Sequence, residues 1–454
     1  MAPPDQFGIR VMGTSPARAV ATDTLYRVAH QRAFASRVLD ATLGRHGLSA
    51  RDAALATEIV YGALRVLPAL DALLRERMVR EEARLDPLTR AALRVAAYQL
   101  RHLERVPAHA AVNDAVALVR AHRGPRLAAF ANAVLRALAS ARPARPTRPS
   151  RTEVPKWLVQ ALRAGLSEQR LARLVRPATL PPPIGLRVDT SRTTRQQLAE
   201  LVRRSKPRAR LSPGACSERT LLAWSVGDPR ALPGYEQGLF VAQEEGAQLV
   251  VELMDVRPGQ SVADVCAGRG GKTTRLAELV GAQGSVTALD LHERKLQRLR
   301  EEFERLGLKA TLETLAVDLS LGSGGLGRRF DHVLVDAPCS GIGTLHRRPD
   351  VLLRLRPGDV PRLAALQLAI LTHSAELVRP GGQLVFAVCS PLAGEGLEVA
   401  ERFETQVPGV RRRFDSLRLS TLRTDADGVI RLGPWWGGRA GSQDAYQVVR
   451  WVVT

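Results

Sequence analysis

The chain has 454 residues, of which 45% are hydrophobic, enough to form the cores of two or three domains. No run approaches the roughly 18 uninterrupted apolar residues of a membrane span, and the start "MAPPDQFGIRVMG" has no apolar secretory core, so we expect a cytoplasmic protein without a membrane partner. The formal net charge of +21, from 66 basic and 45 acidic residues, favours a polyanionic partner such as nucleic acid.

The cysteine pattern argues against a metal site and against disulfides. The four cysteines form no C-x-x-C pair, and the histidines are not clustered. Cys216 and Cys266 are interpreted as small buried apolar residues, which is the usual environment of a free cysteine.

Residues 1–140 have the pattern of an all-α bundle. Ser15 fits an N-cap and Pro16 the first helical position, and apolar residues then recur near helical spacing without strand-like alternation. In "ARPARPTRPSRT" (141–152) proline alternates with arginine, which predicts an extended linker.

The rest of the chain has the pattern of α/β structure. Residues 153–235 predict a small α/β subdomain, with a helix in "VPKWLVQALRAGL" and a strand followed by a helix in "PPPIGLRVDTSRTTRQQLAELVRRS". From 236 to 454 strands alternate with helices, which is typical of a mostly parallel sheet covered by helices. The predicted strands lie in "QSVADVCAG", "GSVTALDLH", "ATLETLAVDL", "FDHVLVDAP" and "GGQLVFAVCS".

The loop after the first of these strands predicts a ligand site. In "DVCAGRGGKTT" the glycines permit sharp turns, and the helix that follows offers free N–H groups. A phosphate-binding loop would need glycine at Cys266, and a dinucleotide fingerprint would need glycine at Thr273. The sequence therefore argues against a P-loop nucleotidase.

Four acids follow four successive predicted strands. They are Asp264, Asp290, Asp318 and Asp336. Ligands of doubly wound sheets bind at the carboxyl ends of the strands, and an acid after the second strand is placed to accept hydrogen bonds from a ribose. Carboxylates would repel a pyrophosphate, so the set predicts a neutral-to-cationic nucleoside cofactor, S-adenosylmethionine.

Two cysteines follow the fourth and fifth of these strands. Because those strands normally lie side by side, Cys339 and Cys389 should meet at the mouth of the crevice. Carbon 5 of a pyrimidine takes up a methyl group only after a thiolate has added to carbon 6, and a second cysteine can assist release. Asp336 is placed to hold the amino edge of the base. The pattern predicts cytosine-5 methylation.

The same segments resemble the bacterial small-subunit ribosomal RNA cytosine-5 methyltransferases of the RsmB family, also called Fmu or Sun, over nearly the whole chain. "RDAALATEIVYGALR", "RVPAHAAVNDAVALV" and "FANAVLRAL" resemble the NusB-type helical RNA-binding domain, and "PGYEQGLFVAQEEGAQLV" resembles the entry to the catalytic domain. "DVCAGRGGKTTRL", "VDAPCSGIGT" and "VCSPLAGE" stand where this family has its cofactor loop, its proline-cysteine motif and its nucleophile motif.

The resemblance implies a multidomain protein. A NusB-like bundle (1–140) and a linker (141–152) would precede the small α/β subdomain (153–235) and a Rossmann-like S-adenosylmethionine methyltransferase domain (236–454). Cys389 would be the nucleophile and Cys339 would aid release. The cofactor and the base would be held by Cys266, Ala267, Gly268, Arg269, Gly270, Gly271, Lys272, Asp290, Asp318 and Asp336. We expect a monomer that acts on small-subunit (16S) ribosomal RNA and binds no metal.

Several positions depart from the family pattern. Gly268-Arg269 replaces alanine-proline, Val388 replaces threonine, Gly396 replaces asparagine and Asp189 replaces asparagine. Two other hypotheses therefore stay open. One is a cytosine-5 methyltransferase that acts on another RNA, such as transfer RNA. The other is an assembly factor that binds RNA and the cofactor with little or no turnover.

Overall fold

In a computed structural model of the protein, residues 13–78, 85–141, 153–176, 181–414, 422–436 and 443–454 are described. They divide into two compact units. The first takes the described residues up to Glu153, together with Pro181 and His346–Leu355, and the second takes the remainder. Residues 142–152 of the predicted linker lie outside the described residues, and the predicted domain boundaries stay predictions.

The first unit confirms the predicted all-α bundle. Ser15 is the N-cap of its first helix, and Pro16 is the first helical residue, as predicted. Arg32, at φ +56°, ends that helix, and Val66 separates the third helix from the fourth. The helices are α1 (Pro16–Gln31), α2 (Ala35–His46), α3 (Ala50–Arg65), α4 (Leu67–Arg75), α5 (Pro87–His102), α6 (Ala108–Arg123) and α7 (Pro125–Ser140).

The apolar faces of these helices share one core, in which Ile59, Leu70, Leu93 and Leu135 are fully buried.

Within the described ranges no single helix is long and apolar enough to cross a membrane. The pair α3 and α4, bent by 79°, passes that test by length and composition only.

A short segment from much later in the chain also belongs to the first unit. It contains α14 (Val351–Arg354), whose Arg354 guanidinium lies 3.7 Å from the centroid of the Phe34 ring. Asp350 pairs with Arg354 at 2.8 Å and accepts a hydrogen bond from the backbone N–H of Ala35 at 3.5 Å. The sequence did not predict this packing, because its partners lie more than 300 positions apart.

The second unit begins with helices α8 (Lys156–Gly165) and α9 (Glu168–Val175) and a four-stranded antiparallel sheet of order β2-β3-β1-β4. Thr194 and Gln197 form a capping box at the start of α10, which packs on this sheet. The last strand, β4, follows residue 235 but pairs with β1. The elements are β1 (Ile184–Val188), α10 (Arg195–Ser205), β2 (Arg210–Pro213), β3 (Thr220–Trp224) and β4 (Phe240–Ala242).

The large sheet of the second unit has the order β10-β12-β9-β8-β5-β6-β7, with β11 paired to β12. Strands β5 to β9 are parallel where they pair, and β12 runs antiparallel to β9. Runs such as Leu384–Val388 are wholly buried, as expected for strands covered on both faces. The strands are β5 (Ser261–Asp264), β6 (Ser285–Asp290), β7 (Thr311–Ala316), β8 (Phe330–Asp336), β9 (Val378–Val388), β10 (Val410–Arg412), β11 (Ile430–Leu432) and β12 (Tyr446–Val453).

Helices cover this sheet, which confirms the predicted Rossmann-like α/β architecture. Strand β5 pairs with β6 on one side and with β8 on the other. From β5 the chain therefore runs outward to β7 in one direction and then returns to run outward from β8 in the opposite direction. Such a reversal opens a crevice at the carboxyl ends of the strands. The helices are α11 (Glu245–Glu252), α12 (Gly271–Val280), α13 (Glu293–Leu306), α15 (Asp359–Ala375) and α16 (Leu397–Gln406).

Candidate active site

The predicted cofactor loop connects β5 to α12 and turns at two glycines. Gly268 and Gly270 have φ values of +61° and +85°, which an L-residue rarely adopts. A Cβ on Gly270 would lie 2.1 Å from Leu299, whereas one on Gly268 would meet only the Cys266 carbonyl oxygen, at 3.9 Å. The loop therefore packs closely at Gly270 and leaves open space at Gly268.

The other loop residues have distinct environments. Arg269 is exposed and Ala267 is buried. Burial raises the pKa of Cys266, so that side chain stays a neutral thiol. Gly271 begins α12, and its carbonyl oxygen accepts a hydrogen bond from Arg187 at 2.8 Å.

Arg187 was missing from the predicted site, although it positions the start of α12. This guanidinium extends from β1 and is 2% exposed. It also donates to Thr274 Oγ1 at 2.9 Å and pairs with Glu278 at 2.9 Å. The small sheet is thus tied to the helix that carries Lys272. The only sequence signal was a charged residue inside an otherwise apolar strand.

Asp264 ends β5 and is 1% exposed. Burial raises the pKa of its carboxyl group to about 7, although Thr273 Oγ1 donates to Oδ2 at 2.7 Å. Among the described residues, no donor reaches its other oxygen, Oδ1. A buried acceptor without a donor is costly, so this atom is suited to a ligand that donates to it.

Asp290 ends β6 beside the cofactor loop. Its Oδ2 accepts from the Gly268 N–H at 3.0 Å, and its Oδ1 accepts from the His292 N–H at 2.9 Å. Lys295 pairs with the same carboxylate at 2.9 Å. Gly268 and Asp290 were predicted to share a site, and they are in direct contact.

The third predicted strand does not end in Asp318. Strand β7 stops at Ala316, because its ladder with β6 stops where Asp290 pairs with that residue. Asp318 lies two residues further on and accepts from the N–H and hydroxyl of Ser320 at 3.0 and 2.6 Å. These bonds lower the pKa of the Asp318 carboxyl group. That side chain therefore caps its own turn.

Asp336 ends β8 and pairs with Lys272 of the cofactor loop at 2.6 Å. Burial alone would lower the pKa of Lys272, but Asp336 and, less strongly, Cys389 raise it above its usual value. The Lys272 ammonium lies 5.4 Å from the centroid of the Tyr446 ring. Tyr446 is a further group that sequence reasoning missed. It reaches the site because β12 pairs with β9.

The two predicted cysteines meet. Cys389 directly follows β9, Cys339 lies three residues after β8, and their sulfur atoms are 3.3 Å apart. The hydrogen bond with Cys389, together with burial, raises the pKa of Cys339 well above its usual value. Cys339 therefore remains a thiol, within hydrogen-bonding distance of the sulfur of Cys389.

These features fit S-adenosylmethionine. Asp264 Oδ1 is a buried acceptor suited to an ammonium group, Asp290 is an acid at the carboxyl end of the second strand of the parallel sheet, and the space at Gly268 admits a close ligand. Together, the Rossmann-like sheet and this crevice define a methyltransferase that uses S-adenosylmethionine.

Comparison with known proteins specifies the family. The family model described as 16S rRNA methyltransferase RsmB/F matches residues 251–422, and the NusB family matches residues 15–140. The ribosomal RNA small subunit methyltransferase B of Pseudomonas syringae pv. tomato is 35% identical over 80% of this chain and 81% of its own length. The probable enzyme of that name from Bacillus subtilis is 31% identical, over 87% and 90%. The chain belongs to the ribosomal RNA small subunit methyltransferase B family.

Two solved structures are similar in fold. PH0851 superimposes with a TM-score of 0.77 at 21% identity, covering 96% of this chain and 98% of that one. NSun6 from Pyrococcus horikoshii, solved with SFG, has a TM-score of 0.56 at 16% identity and covers 66% of this chain and 98% of that one.

Proposed function

We propose that this chain methylates carbon 5 of a cytosine in small-subunit (16S) ribosomal RNA. The observation that carries the proposal is the pair of sulfur atoms, 3.3 Å apart at the carboxyl ends of two adjacent parallel strands. Cytosine-5 chemistry needs one sulfur to attack and a second group to assist release, and both must reach one base.

Cys389 is the proposed nucleophile. Its thiolate adds to carbon 6 of the cytosine, and the electron pair of the carbon 5–carbon 6 double bond becomes available at carbon 5. S-adenosylmethionine, when bound, supplies the methyl group that carbon 5 takes up. After transfer, a water molecule positioned by Cys339 takes the proton from carbon 5, the bonding pair of that proton restores the double bond, and Cys389 departs as a thiolate. Cys339, held as a thiol, is the proposed proton donor to that departing sulfur.

Asp336 and Lys272 form the proposed charged part of the site. Asp336 holds the amino edge of the cytosine and stabilises the ring once it is protonated in the adduct. Lys272 is kept protonated by Asp336, and its ammonium stabilises negative charge on Cys389. Lys272 therefore links the cofactor loop to the nucleophile.

The remaining predicted residues are assigned to the cofactor. Asp264 accepts from its ammonium group and Asp290 from its ribose, while the backbone of the loop from Cys266 to Lys272 approaches its methionine part. Asp318 stays in the proposed cofactor set, since both hydrogen bonds from Ser320 go to its Oδ1.

The proposed RNA contacts come from the helical region and the basic surface. Residues 1–140 are the proposed NusB-like RNA-binding domain, and residues 236–454 the proposed catalytic domain, with 141–152 as linker and 153–235 as the small α/β subdomain. The net charge of +21 favours phosphate contacts, and we propose that the enzyme acts as a monomer.

The direct test is transfer of a labelled methyl group from S-adenosylmethionine to 16S ribosomal RNA that lacks the modification, followed by nucleoside analysis. We expect label in 5-methylcytosine, and Cys389→Ala should abolish it while RNA binding survives. Label that appears only with transfer RNA would identify the other substrate. Cofactor and RNA binding without label in either RNA would favour the non-catalytic assembly factor.

Cys339→Ala should trap the reaction after attack. The variant keeps the nucleophile but lacks the thiol proposed to aid release, so a covalent protein–RNA complex should accumulate and resist denaturing gel electrophoresis. Cys339→Ala/Cys389→Ala should form none. Release of methylated RNA at the wild-type rate from the single variant would contradict the role given to Cys339.

A further inference from the structure

A buried carboxylate lies behind the two cysteines. Glu395 is fully buried, in a single turn of 3-10 helix (Ala393–Glu395) at the end of the Cys389 motif. We propose that Glu395 is a positioning residue, which holds the loops of Cys339 and Cys389 so that both sulfur atoms address one base. This inference deepens the proposed function and rests on it.

The contacts of Glu395 reach the residues next to both cysteines. Its Oε1 accepts from the backbone N–H of Ser340 at 2.7 Å, and its Oε2 accepts from the hydroxyls of Ser340 and Ser390 at 2.5 and 2.7 Å. Ser340 directly follows Cys339, and Ser390 directly follows Cys389. A single carboxylate thus joins two loops that are fifty positions apart.

The chemistry of this arrangement requires a carboxylate. Three donors converge on two oxygens, and hydrogen bonds to a charged acceptor are about twice as strong as those between neutral groups. An amide would keep the shape but would put its NH2 group against either the Ser340 N–H or the two hydroxyls, so one of the two acceptor positions would be lost. A residue that only filled space would not need the charge.

Two other sets of hydrogen bonds hold the Cys389 loop, but neither of them involves the residues directly beside Cys339. Gly343 lies four residues after Cys339, and its N–H donates to the carbonyl oxygen of Cys389 at 3.0 Å. Gln447 of β12 holds the other side of the Cys389 motif by donating to the carbonyl oxygens of Ser390 and Leu392, both at 2.8 Å. Glu395 acts directly beside Cys339, where neither contact reaches. Because the Glu395 side chain is buried, it does not touch the base, and its effect on the reaction comes through the positions of the two cysteines.

The test separates position from fold and from chemistry. The full-length chain carrying Glu395→Gln is compared with wild type in three measurements: kcat and KM for methyl transfer, the thermal melting temperature, and the rate at which dibromobimane bridges Cys339 and Cys389, followed by peptide mapping. Each thiolate displaces one bromide from dibromobimane and forms a carbon–sulfur bond, so the reagent bridges only two sulfur atoms that lie close together. This readout needs no RNA, so it stands even if the proposed substrate is wrong.

We expect Glu395→Gln to lower kcat about 100-fold, the scale of a misplacement of about 1 Å, with KM for S-adenosylmethionine changed less than about threefold. Bridging should slow at least roughly tenfold, for the same geometric reason. The matched control is Glu398→Gln, three residues on, where the side chain is exposed and wild-type values should persist.

Ser390→Ala provides a second variant if Glu395→Gln does not fold. It removes one hydroxyl donor and adds no polar atom, and it should lower kcat and bridging in the same direction by a smaller factor. A folded variant with wild-type kcat and bridging would overturn the proposal. A loss of kcat with wild-type bridging would also overturn it, because the sulfur atoms would then be correctly placed without Glu395.

Discussion

At the scale of single residues, Asp264 combines burial with an unpaired acceptor. Its carboxyl group has a pKa raised to about 7 by burial, and its Oδ1 has no donor among the described residues. Below this pKa the group is neutral and cannot pair with an ammonium ion. Above it the group is a carboxylate that can. The raised pKa therefore predicts that cofactor binding depends on pH.

We expect the affinity for S-adenosylmethionine to rise roughly 25-fold between pH 5.5 and 7.5, because only ionised Asp264 would pair with the cofactor ammonium. Isothermal titration calorimetry across that range measures it. Asp264→Asn should bind weakly and without this pH dependence. Asp318→Asn should retain the dependence, since hydrogen bonds from Ser320 lower the pKa of Asp318 out of this range. A flat profile in the wild type would contradict the assignment.

At the scale of elements, the site depends on three loops that approach one another very closely. Gly343, in the Cys339 loop, donates to the Cys389 carbonyl and accepts from the N–H of Ala445, just before β12. A Cβ on Gly343 would lie 2.1 Å from the Ala445 oxygen and 2.8 Å from the Cys389 oxygen, both of them backbone atoms. Only glycine allows these three segments to meet.

Gly343→Ala should therefore separate the loops. We expect a loss of about 1–3 kcal/mol in unfolding free energy from overpacking and a fall of about 100-fold in kcat from misplaced cysteines. Denaturant melts and initial rates measure the two effects. The matched control is Gly358→Ala in the same unit, where φ is −72° and a Cβ meets nothing within 4 Å. Equal behaviour of the two variants would show that the close approach is unimportant.

The packing of β12 against the Cys389 loop also explains one departure from the family pattern. Gly396 stands where the family has asparagine, and a Cβ there would lie 2.4 Å from the side chain of Gln447. Gln447 uses this space to hold the Cys389 loop through two carbonyl oxygens. Gln447 of β12 thus supports the loop, which stays in place although it has no asparagine at position 396.

At the scale of the whole molecule, the dominant property is a net charge of +21. Basic residues that neutralise phosphates release counterions from RNA, so binding weakens as salt increases. The charge predicts that RNA affinity depends on electrostatics over a wide surface, whereas cofactor binding depends on a few buried groups.

We expect affinity for a small-subunit ribosomal RNA fragment to fall with a log–log salt slope of about −0.7 per phosphate contact on single strands. About five contacts would give roughly a hundredfold loss between 50 and 200 mM salt. Fluorescence anisotropy at several salt concentrations measures the slope, with S-adenosylmethionine affinity as the reference that should change less than about twofold. A slope near zero would argue against phosphate contacts.

The sequence by itself determined the order of an all-α region and two α/β regions, the cofactor loop and the two cysteines after adjacent strands. Helical spacing, glycine turns and acids at strand ends are local patterns, so they can be read without a structure. Asp318 shows the limit of such reading, because where a strand ends depends on its neighbour: β7 stops where its pairing with β6 stops.

Only the tertiary structure decided how the site is held together. The pairing of Lys272 with Asp336, the Arg187 contact with α12, the Tyr446 ring beside Lys272 and the Glu395 carboxylate between two loops all join residues far apart in the chain. No local pattern encodes them. The Tyr446 contact arises because β12 pairs antiparallel with β9, and the other three arise because a buried charge without a partner is costly.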